Sequence, residues 1–441
     1  MRRALSLVLL ACLVAPPAFA QATETGCDRL AGFAHTPRLP GLAGVWDIGD
    51  PEAAIVACEH DAWAEGADPF LRFLLARAYE EADPADARIA DLIDSAADRY
   101  PVFATHRRAR LHGEGLAGFP PDPARAEALD AEACAFAPDP HALSGCNNLA
   151  LAWLDADEGR EGEADALLAR TCEQGFALAC SNLAIELGEG GILPHDAGRS
   201  TALFVRACDL GLSESCAYAA YALETGDGVA ADPAAAAPLY ARACATQDLW
   251  SCHALGVLQI EGQMIARDWD AGMTNLALAC EGGIDEACYR RGIELTYGRD
   301  RDGDTTPEGL AEALREHRRL CGVFHGPACT ELGYMLVHGL GVESDPDLAA
   351  GFSARACALG DTMGCNNLGV QFRRGQGVWL DVERAAFYYR HACEAGTGLA
   401  CLNLADLLEG DELGAPDPEA ARQALVRACD LEMAEGCERL D

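Results

Sequence analysis

Apolar positions along this chain recur at three-and-four spacing, the period of a helix buried on one face. After Asp381 the run Ala385, Ala386, Tyr389, Ala392 and Cys393 has it, and near the start Phe70, Leu71, Leu74, Leu75 and Tyr79 do the same. Helix starts are marked by Asp122-Pro123, Asp232-Pro233, Asp345-Pro346 and Asp417-Pro418. Each sets an N-cap carboxylate ahead of a proline whose missing N–H costs nothing at the first helical position. Helix ends are marked too. Arg170, Arg206, Arg242, Arg319, Arg355 and Arg427 each stand two residues before a cysteine, in a last turn where a cation offsets the helix dipole. Gly175, Gly211, Gly283, Gly360 and Gly396 follow that cysteine by three and suit a left-handed C-cap. Gln247, Phe324 and Glu432 depart from the rule.

The cysteines set the register of these helices. Eight pairs keep one spacing: Cys172/Cys180, Cys208/Cys216, Cys244/Cys252, Cys280/Cys288, Cys321/Cys329, Cys357/Cys365, Cys393/Cys401 and Cys429/Cys437. Their first members step by 36 residues, except for one step of 41. A fixed period in the thirties is the signature of a helical-hairpin solenoid. Each unit reads as two antiparallel helices. The first cysteine closes the second helix, a loop of about six residues follows, and the second cysteine opens the next unit. Such a turn favours a disulfide within each pair, because it brings two Cα atoms within about 6 Å. A zinc site would need four convergent ligands at short spacing, and the chain has no C-x-x-C or H-x-x-x-H. A looser pair, Cys134/Cys146, precedes the eight, and Cys27/Cys58 makes a tenth expected bridge. Residues 50–111 read as helices without the cysteine spacing. The expected organisation is therefore an export signal over 1–20, a tetratricopeptide-like helical cap over 21–124 and a repeat array over 125–441.

Composition narrows the chemistry. The chain has 441 residues, 70 acidic against 33 basic, and a formal charge of −37. That charge excludes a sequence-independent grip on nucleic acid or anionic lipid. Every basic residue is arginine. Without lysine there is no P-loop, no pyridoxal-phosphate Schiff base and no S-x-x-K or K-T-G of a serine β-lactamase. Met1 to Ala20 reads as a secretory signal: Arg2 and Arg3, an apolar stretch from Ala4 to Ala15, and an A-x-A site at Ala18-Phe19-Ala20. Leu9-Leu10-Ala11-Cys12 loosely matches a lipoprotein box, so lipid anchoring at Cys12 is the alternative. The expected location is periplasmic or secreted, with no transmembrane segment, an address that tolerates disulfides.

The text around the cysteines resembles a known repeat. Cys365-Asn366-Asn367-Leu368-Gly369, Arg374-Gly375-Gln376-Gly377-Val378, Ala385-Ala386, Tyr388-Tyr389 and His391-Ala392-Cys393-Glu394-Ala395-Gly396 together resemble one Sel1-like repeat. The cysteine placement is similar to the disulfide-rich branch typified by the Helicobacter cysteine-rich proteins. His338-Gly339-Leu340-Gly341-Val342 and Thr225-Gly226-Asp227-Gly228-Val229 repeat the G-x-G-V loop. The resemblance covers about residues 125–441, although the unit between Asp155 and Cys172 lacks that loop. It implies an all-α, right-handed α/α superhelical solenoid of Sel1-like hairpins. It also implies a non-catalytic scaffold for a protein or peptide partner in the cell envelope, bound on the concave face. Some cysteine-rich members bind or weakly hydrolyse β-lactams, and that is the rival function, although fold alone does not license it.

Candidate chemistry is sparse, and no cofactor or metal is expected. His253 and His391 sit beside cysteines and read as cap or packing residues. In the long step, Asp300, Asp302 and Asp304 alternate as in a calcium loop, but Gly303 falls at the wrong position and Ala311 stands where the terminal acid belongs. A solvated loop ahead of a helix capped by Thr306 is the better reading. The one recurrent polar signal is Asn148, Asn182, Asn367 and Asn403, each two residues after a second cysteine. It is similar to the asparagine ladder of the O-GlcNAc transferase tetratricopeptide region, where amides both donate to and accept from an extended peptide backbone. Tyr218, Ala254, Arg290 and Glu331 interrupt it. The alternative is that these asparagines bond neighbouring elements inside the solenoid.

Overall fold

The computed structural model describes residues 24–31, 48–137, 139, 142–156, 159–262, 265–298 and 305–440. The stretch read as an export signal, Cys12, and the Asp300, Asp302, Gly303 and Asp304 loop lie outside the described residues. The chain is all-helical, at 72% helix, and divides into two compact units, Met1–Leu212 and Ser213–Asp441.

The first unit holds α1 (Gly26–Ala31), α2 (Pro51–Ala62), α3 (Phe70–Ala82), α4 (Arg88–Ala96), α5 (Pro101–Glu114), α6 (Pro123–Cys134), α7 (Ala142–Asp155), α8 (Glu161–Glu173), α9 (Ala177–Glu186) and α10 (Ala197–Asp209). Consecutive helices pack against one another. One core runs from Cys27 to Ala117. Phe70 meets Tyr100 edge-on at 5.4 Å and Phe73 meets Phe103 at 4.8 Å, a geometry that aligns ring edges with ring faces. A second core, from Cys146 to Leu212, is built on Leu149, Leu168, Leu183 and Leu187.

The second unit continues the hairpins as α11 (Ser213–Thr225), α12 (Pro233–Cys244), α13 (Leu249–Glu261), α14 (Trp269–Glu281), α15 (Asp285–Tyr297), α16 (Pro307–Gly322), α17 (Gly326–His338), α18 (Pro346–Ala358), α19 (Thr362–Arg374), α20 (Val382–Glu394), α21 (Gly398–Glu409), α22 (Pro418–Asp430) and the stub α23 (Ala434–Glu438). The first helices of successive hairpins touch in sequence: α13 with α15, α15 with α17, α17 with α19 and α19 with α21. They form one continuous face of this unit.

The helix starts carry their caps. Asp122, Asp232, Asp345, Asp381 and Asp417 each accept a hydrogen bond from the backbone N–H three residues on, and Thr306 does the same for α16. The connections bearing the cysteines are shorter than expected, because the helices continue past them: only Leu359, Gly360 and Asp361 separate α18 from α19. Asp361 caps α19 inside the turn, so the second cysteine lies within the first helical turn rather than ahead of it.

Nine bridges lie within the units: Cys27–Cys58, Cys134–Cys146, Cys172–Cys180, Cys244–Cys252, Cys280–Cys288, Cys321–Cys329, Cys357–Cys365, Cys393–Cys401 and Cys429–Cys437. Cys208 and Cys216 are disulfide-bonded as well. So dense a set suggests a non-reducing, extracytoplasmic environment. Among the described residues, no helix is long and apolar enough to cross a membrane.

The three departures from the glycine rule do not depart in backbone shape. Gln247, Phe324 and Glu432 have φ of 68°, 69° and 62°, in the same left-handed region as Gly360 at 87°. The fold imposes that conformation, and a side chain there costs about 1 kcal/mol. Gln247→Gly is therefore expected to raise stability by about 0.5–1 kcal/mol, read as a higher melting midpoint. A lower midpoint would contradict this account.

Candidate recognition surface

The recurrent asparagines are placed by their helices. In the second unit, Asn403 on α21 donates from Nδ2 to Oδ1 of Asn366 on α19 at 2.7 Å, and Asn366 donates to Asn367 at 3.4 Å. The first unit repeats the arrangement: Asn182 on α9 donates to Asn147 on α7 at 2.9 Å, and Asn147 donates to Asn148 at 3.2 Å. Asn366 and Asn147 are buried, whereas Asn148, Asn182, Asn367 and Asn403 are half-buried. Asn182 and Asn403 thus use their Nδ2 to tie adjacent hairpins, Asn148 and Asn367 accept from the preceding residue of their own helix, and the remaining group of each is the one a ligand would use. Asn147 and Asn366 form no recurrent signal in the sequence, because the residue one after the second cysteine is asparagine in only these two units. Asn366→Ala removes the shared acceptor of a buried chain and is expected to cost about 1–3 kcal/mol. A melting midpoint unchanged from wild type would refute that role.

Where the second unit lacks asparagine, its first-helix face carries rings and carboxylates. Tyr289 and Tyr297 stand on α15, and Tyr334 and His338 on α17. Tyr297 packs on Tyr334 at 5.9 Å, Tyr334 on His338 at 4.3 Å, and Tyr289 on His325 at 4.8 Å. The three tyrosines are half-buried. Tyr297 donates its hydroxyl to Oε2 of Glu331 at 2.9 Å. Burial, with the charges of Glu331, Asp361 and Glu286, raises the Tyr289 phenol well above its ordinary range. Burial and the Asp361 charge likewise raise Glu331, against the opposing hydrogen bond from Tyr297. Arg290 lies among these acids and is engaged by Glu261 at 3.3 Å and Glu294 at 3.2 Å. Sequence reading flagged Arg290 and Glu331 only as interruptions. The rings come from different repeats, so nothing local announces that they meet.

Behind this face His317 on α16 is fully buried against the backbone of Gly292 on α15, where a Cβ would lie 2.6 Å from the ring. Burial depresses its pKa to about 4. The unfolded chain, with an ordinary histidine near 6.5, therefore binds the extra proton first as pH falls. Stability held above pH 6.5 is lost down to about pH 4, and the loss approaches roughly 3 kcal/mol. His317→Leu is expected to flatten that part of the pH profile in denaturant titrations at pH 7 and 4. An equally steep profile would exclude His317 as its source.

The two histidines singled out in the sequence, His253 and His391, stand in different settings. His253 is half-buried, edge-on to Trp250, and burial lowers its pKa. His391 is exposed and within 4.8 Å of the Cys357 and Cys365 sulfurs. Those sulfurs are bonded to each other, so they offer no thiolate to a metal. A separate groove of about 780 Å³ lies around Phe372, Val378, Trp379, Leu380 and Arg384, with Trp379 92% exposed.

Six stretches of the chain, residues 102–129, 177–212, 213–245, 326–361, 362–397 and 398–432, match the Sel1 repeat. The chain is a Sel1-repeat protein. Its disulfides fit the cysteine-rich Sel1 branch. The matched Sel1 stretches leave out 246–325, where Tyr289, Arg290, Tyr297 and His317 stand. In fold it is similar to a protective antigen of uropathogenic Escherichia coli with an SLR fold, at 19% identity and a TM-score of 0.55 over 88% of this chain and 89% of that one. It is also similar to a Sel1 repeat protein from Oxalobacter formigenes, at 20% identity and a TM-score of 0.55 over 68% of this chain and 86% of that one. No curated protein matches the chain at a significant level.

Proposed function

We propose that this Sel1-repeat protein is an exported, non-catalytic scaffold that binds a protein or peptide partner along the face built by its first helices. The observation that carries this reading is the run of half-buried rings and carboxylates spanning α15 and α17, continuous through α19 with the asparagine chain that ends on α21. Half-buried tyrosines offer apolar area with a polar tip, the composition that concentrates binding energy at interfaces. Half-buried amides add hydrogen bonds to peptide backbone with no demand on side-chain sequence. Export rests on the signal-like first twenty residues together with the disulfides, and the periplasm is the expected compartment.

The test compares capture of envelope proteins by the oxidised chain and two variants. Tyr289→Leu with Tyr334→Leu should release a captured partner while helical content and melting stay near wild type. Asn367→Ala with Asn403→Ala should weaken capture. Unchanged capture together with a lowered melting midpoint would assign those asparagines to structure alone, and a partner retained by both variants would refute binding on this face.

A further inference from the structure

The face on α15 and α17 is acidic beyond what its own cation neutralises. Glu286, Glu331 and Asp361 all act on Tyr289. Arg290 is already shared between Glu261 and Glu294, and His325 Nε2 lies 3.8 Å from Glu286. Three half-buried tyrosine rings stand among these carboxylates, and the whole chain carries −37. A ring face is the negative pole of an aromatic quadrupole, so rings and carboxylates together favour one kind of visitor, a cation that also has a flat or apolar body. Guanidinium meets both conditions, since it stacks on rings and pairs bidentately with carboxylates. An anionic or neutral segment would leave the Glu331 and Asp361 charges with only neutral donors, the Tyr297 hydroxyl on Glu331 and the Thr330 hydroxyl on Asp361.

We infer that the partner segment is cationic: an extended, arginine-bearing stretch of protein whose positive side chains seat among Tyr289, Tyr297, Tyr334, Glu286 and Glu331. This rests on the scaffold reading above and adds the chemistry of the partner to it. The recognition is local rather than a general pull of an acidic chain, because the rings supply contact area that scattered surface carboxylates lack. Glu286 would exchange its 3.8 Å contact with His325 for a charge-assisted hydrogen bond, and Glu331 would gain a cationic donor beside the Tyr297 hydroxyl. Tyr334 would present its ring to the guanidinium plane.

The experiment is calorimetric titration of the full oxidised chain with three short peptides of equal length. One alternates arginine with glycine, one citrulline with glycine, and one glutamate with glycine. The arginine peptide should bind at least about tenfold more tightly than the citrulline peptide, which has the same shape without the charge, and the glutamate peptide should not bind. Glu286→Gln with Glu331→Gln, and separately Tyr334→Leu, should each weaken the arginine peptide about tenfold. As a control, Glu383→Gln with Asp430→Asn removes two exposed charges elsewhere in the unit and should leave affinity unchanged. Circular dichroism melts establish that each variant folds. Equal binding of the arginine and citrulline peptides, or an equal loss in the control variant, overturns the inference. Citrulline binding as tight as that of the arginine peptide, and abolished by Tyr334→Leu, removes the cationic preference and keeps the scaffold reading. Absence of binding by every peptide, together with partner capture unaffected by the tyrosine substitutions, removes both.

Discussion

Full reduction of the chain, followed by alkylation, is expected to lower its melting midpoint by roughly 30 °C or more. Each short bridge in the second unit closes a loop with a sequence separation of 8, and closing such a loop in the unfolded chain contributes about 2.5 kcal/mol. A domain's whole net stability is about 5–15 kcal/mol, so the six bridges in that unit together match or exceed it. Among the described residues, the main packing contacts join helices one or two apart in sequence, so a lost bridge is not compensated by a distant core. The same locality predicts the response to removing one. Cys321→Ser with Cys329→Ser should cost about 2.5 kcal/mol of amide protection in α16, α17 and the helices next to them, while α22 keeps its protection. Hydrogen exchange followed by peptide mass spectrometry separates the cases. A reduced chain that melts within a few degrees of the oxidised one would show that packing alone holds the array. Loss of protection spreading evenly to α22 would show one cooperative core.

The parts legible in the sequence are those whose physics is local. An Asp-Pro start, an arginine in the last turn and a cysteine pair at fixed spacing each act within one helix or one turn, so the helices and the turns between them could be placed from residue order. The left-handed turn residue was legible only where it is glycine. Gln247, Phe324 and Glu432 adopt the same conformation because the flanking helices and their bridge dictate it, overriding the preference of the residue. Cysteines read as helix ends imply longer loops than exist, because the helices run past them: Cys357 and Cys365 lie inside α18 and α19. The candidate face was the least legible. Tyr297 and Tyr334 belong to different repeats, and each alone reads as an ordinary amphipathic core residue. Asn403 finds Asn366 across a sequence separation of 37, so the ladder signal was visible while its partners were not. His317 follows the same rule, since its burial depends on Gly292 leaving space one helix away.

Glu80→Ala is expected to destabilise the first unit by about 3–5 kcal/mol. Glu80 on α3 is 7% exposed and holds two guanidinium groups from α5, Arg107 at 2.5 Å and Arg110 at 2.6 Å. Arg107 is 5% exposed, and burial, with the charges of Arg110 and Arg77, disfavours its charged form; Glu80 works in the opposite sense. Arg77, itself buried, donates to the carbonyl of Ala31 on α1 at 3.3 Å. Removing the carboxylate leaves the buried Arg107, with Arg77 near it, in a low-dielectric core without the Glu80 charge that offsets it, whereas the partly exposed Arg110 keeps Glu114. That is why truncating one member of a buried ion group costs far more than the group contributes overall. The Arg88–Asp86 pair at 2.6 Å, with Arg88 exposed and Asp86 half-buried and also accepting from the Arg88 backbone N–H, is the contrast: Asp86→Ala removes a largely solvent-screened pair and one local turn bond, and the effect should be about 1 kcal/mol. Glu80→Gln keeps the shape and one acceptor oxygen, and should fall between the two. Hydrogen exchange in α3 and α5 reads all three variants without requiring the whole array to unfold as one. An effect of Glu80→Ala no larger than that of Asp86→Ala would mean that water or rearranged side chains reach Arg107, and that packing among Phe70, Phe73 and Leu74 alone fixes α3 against α5.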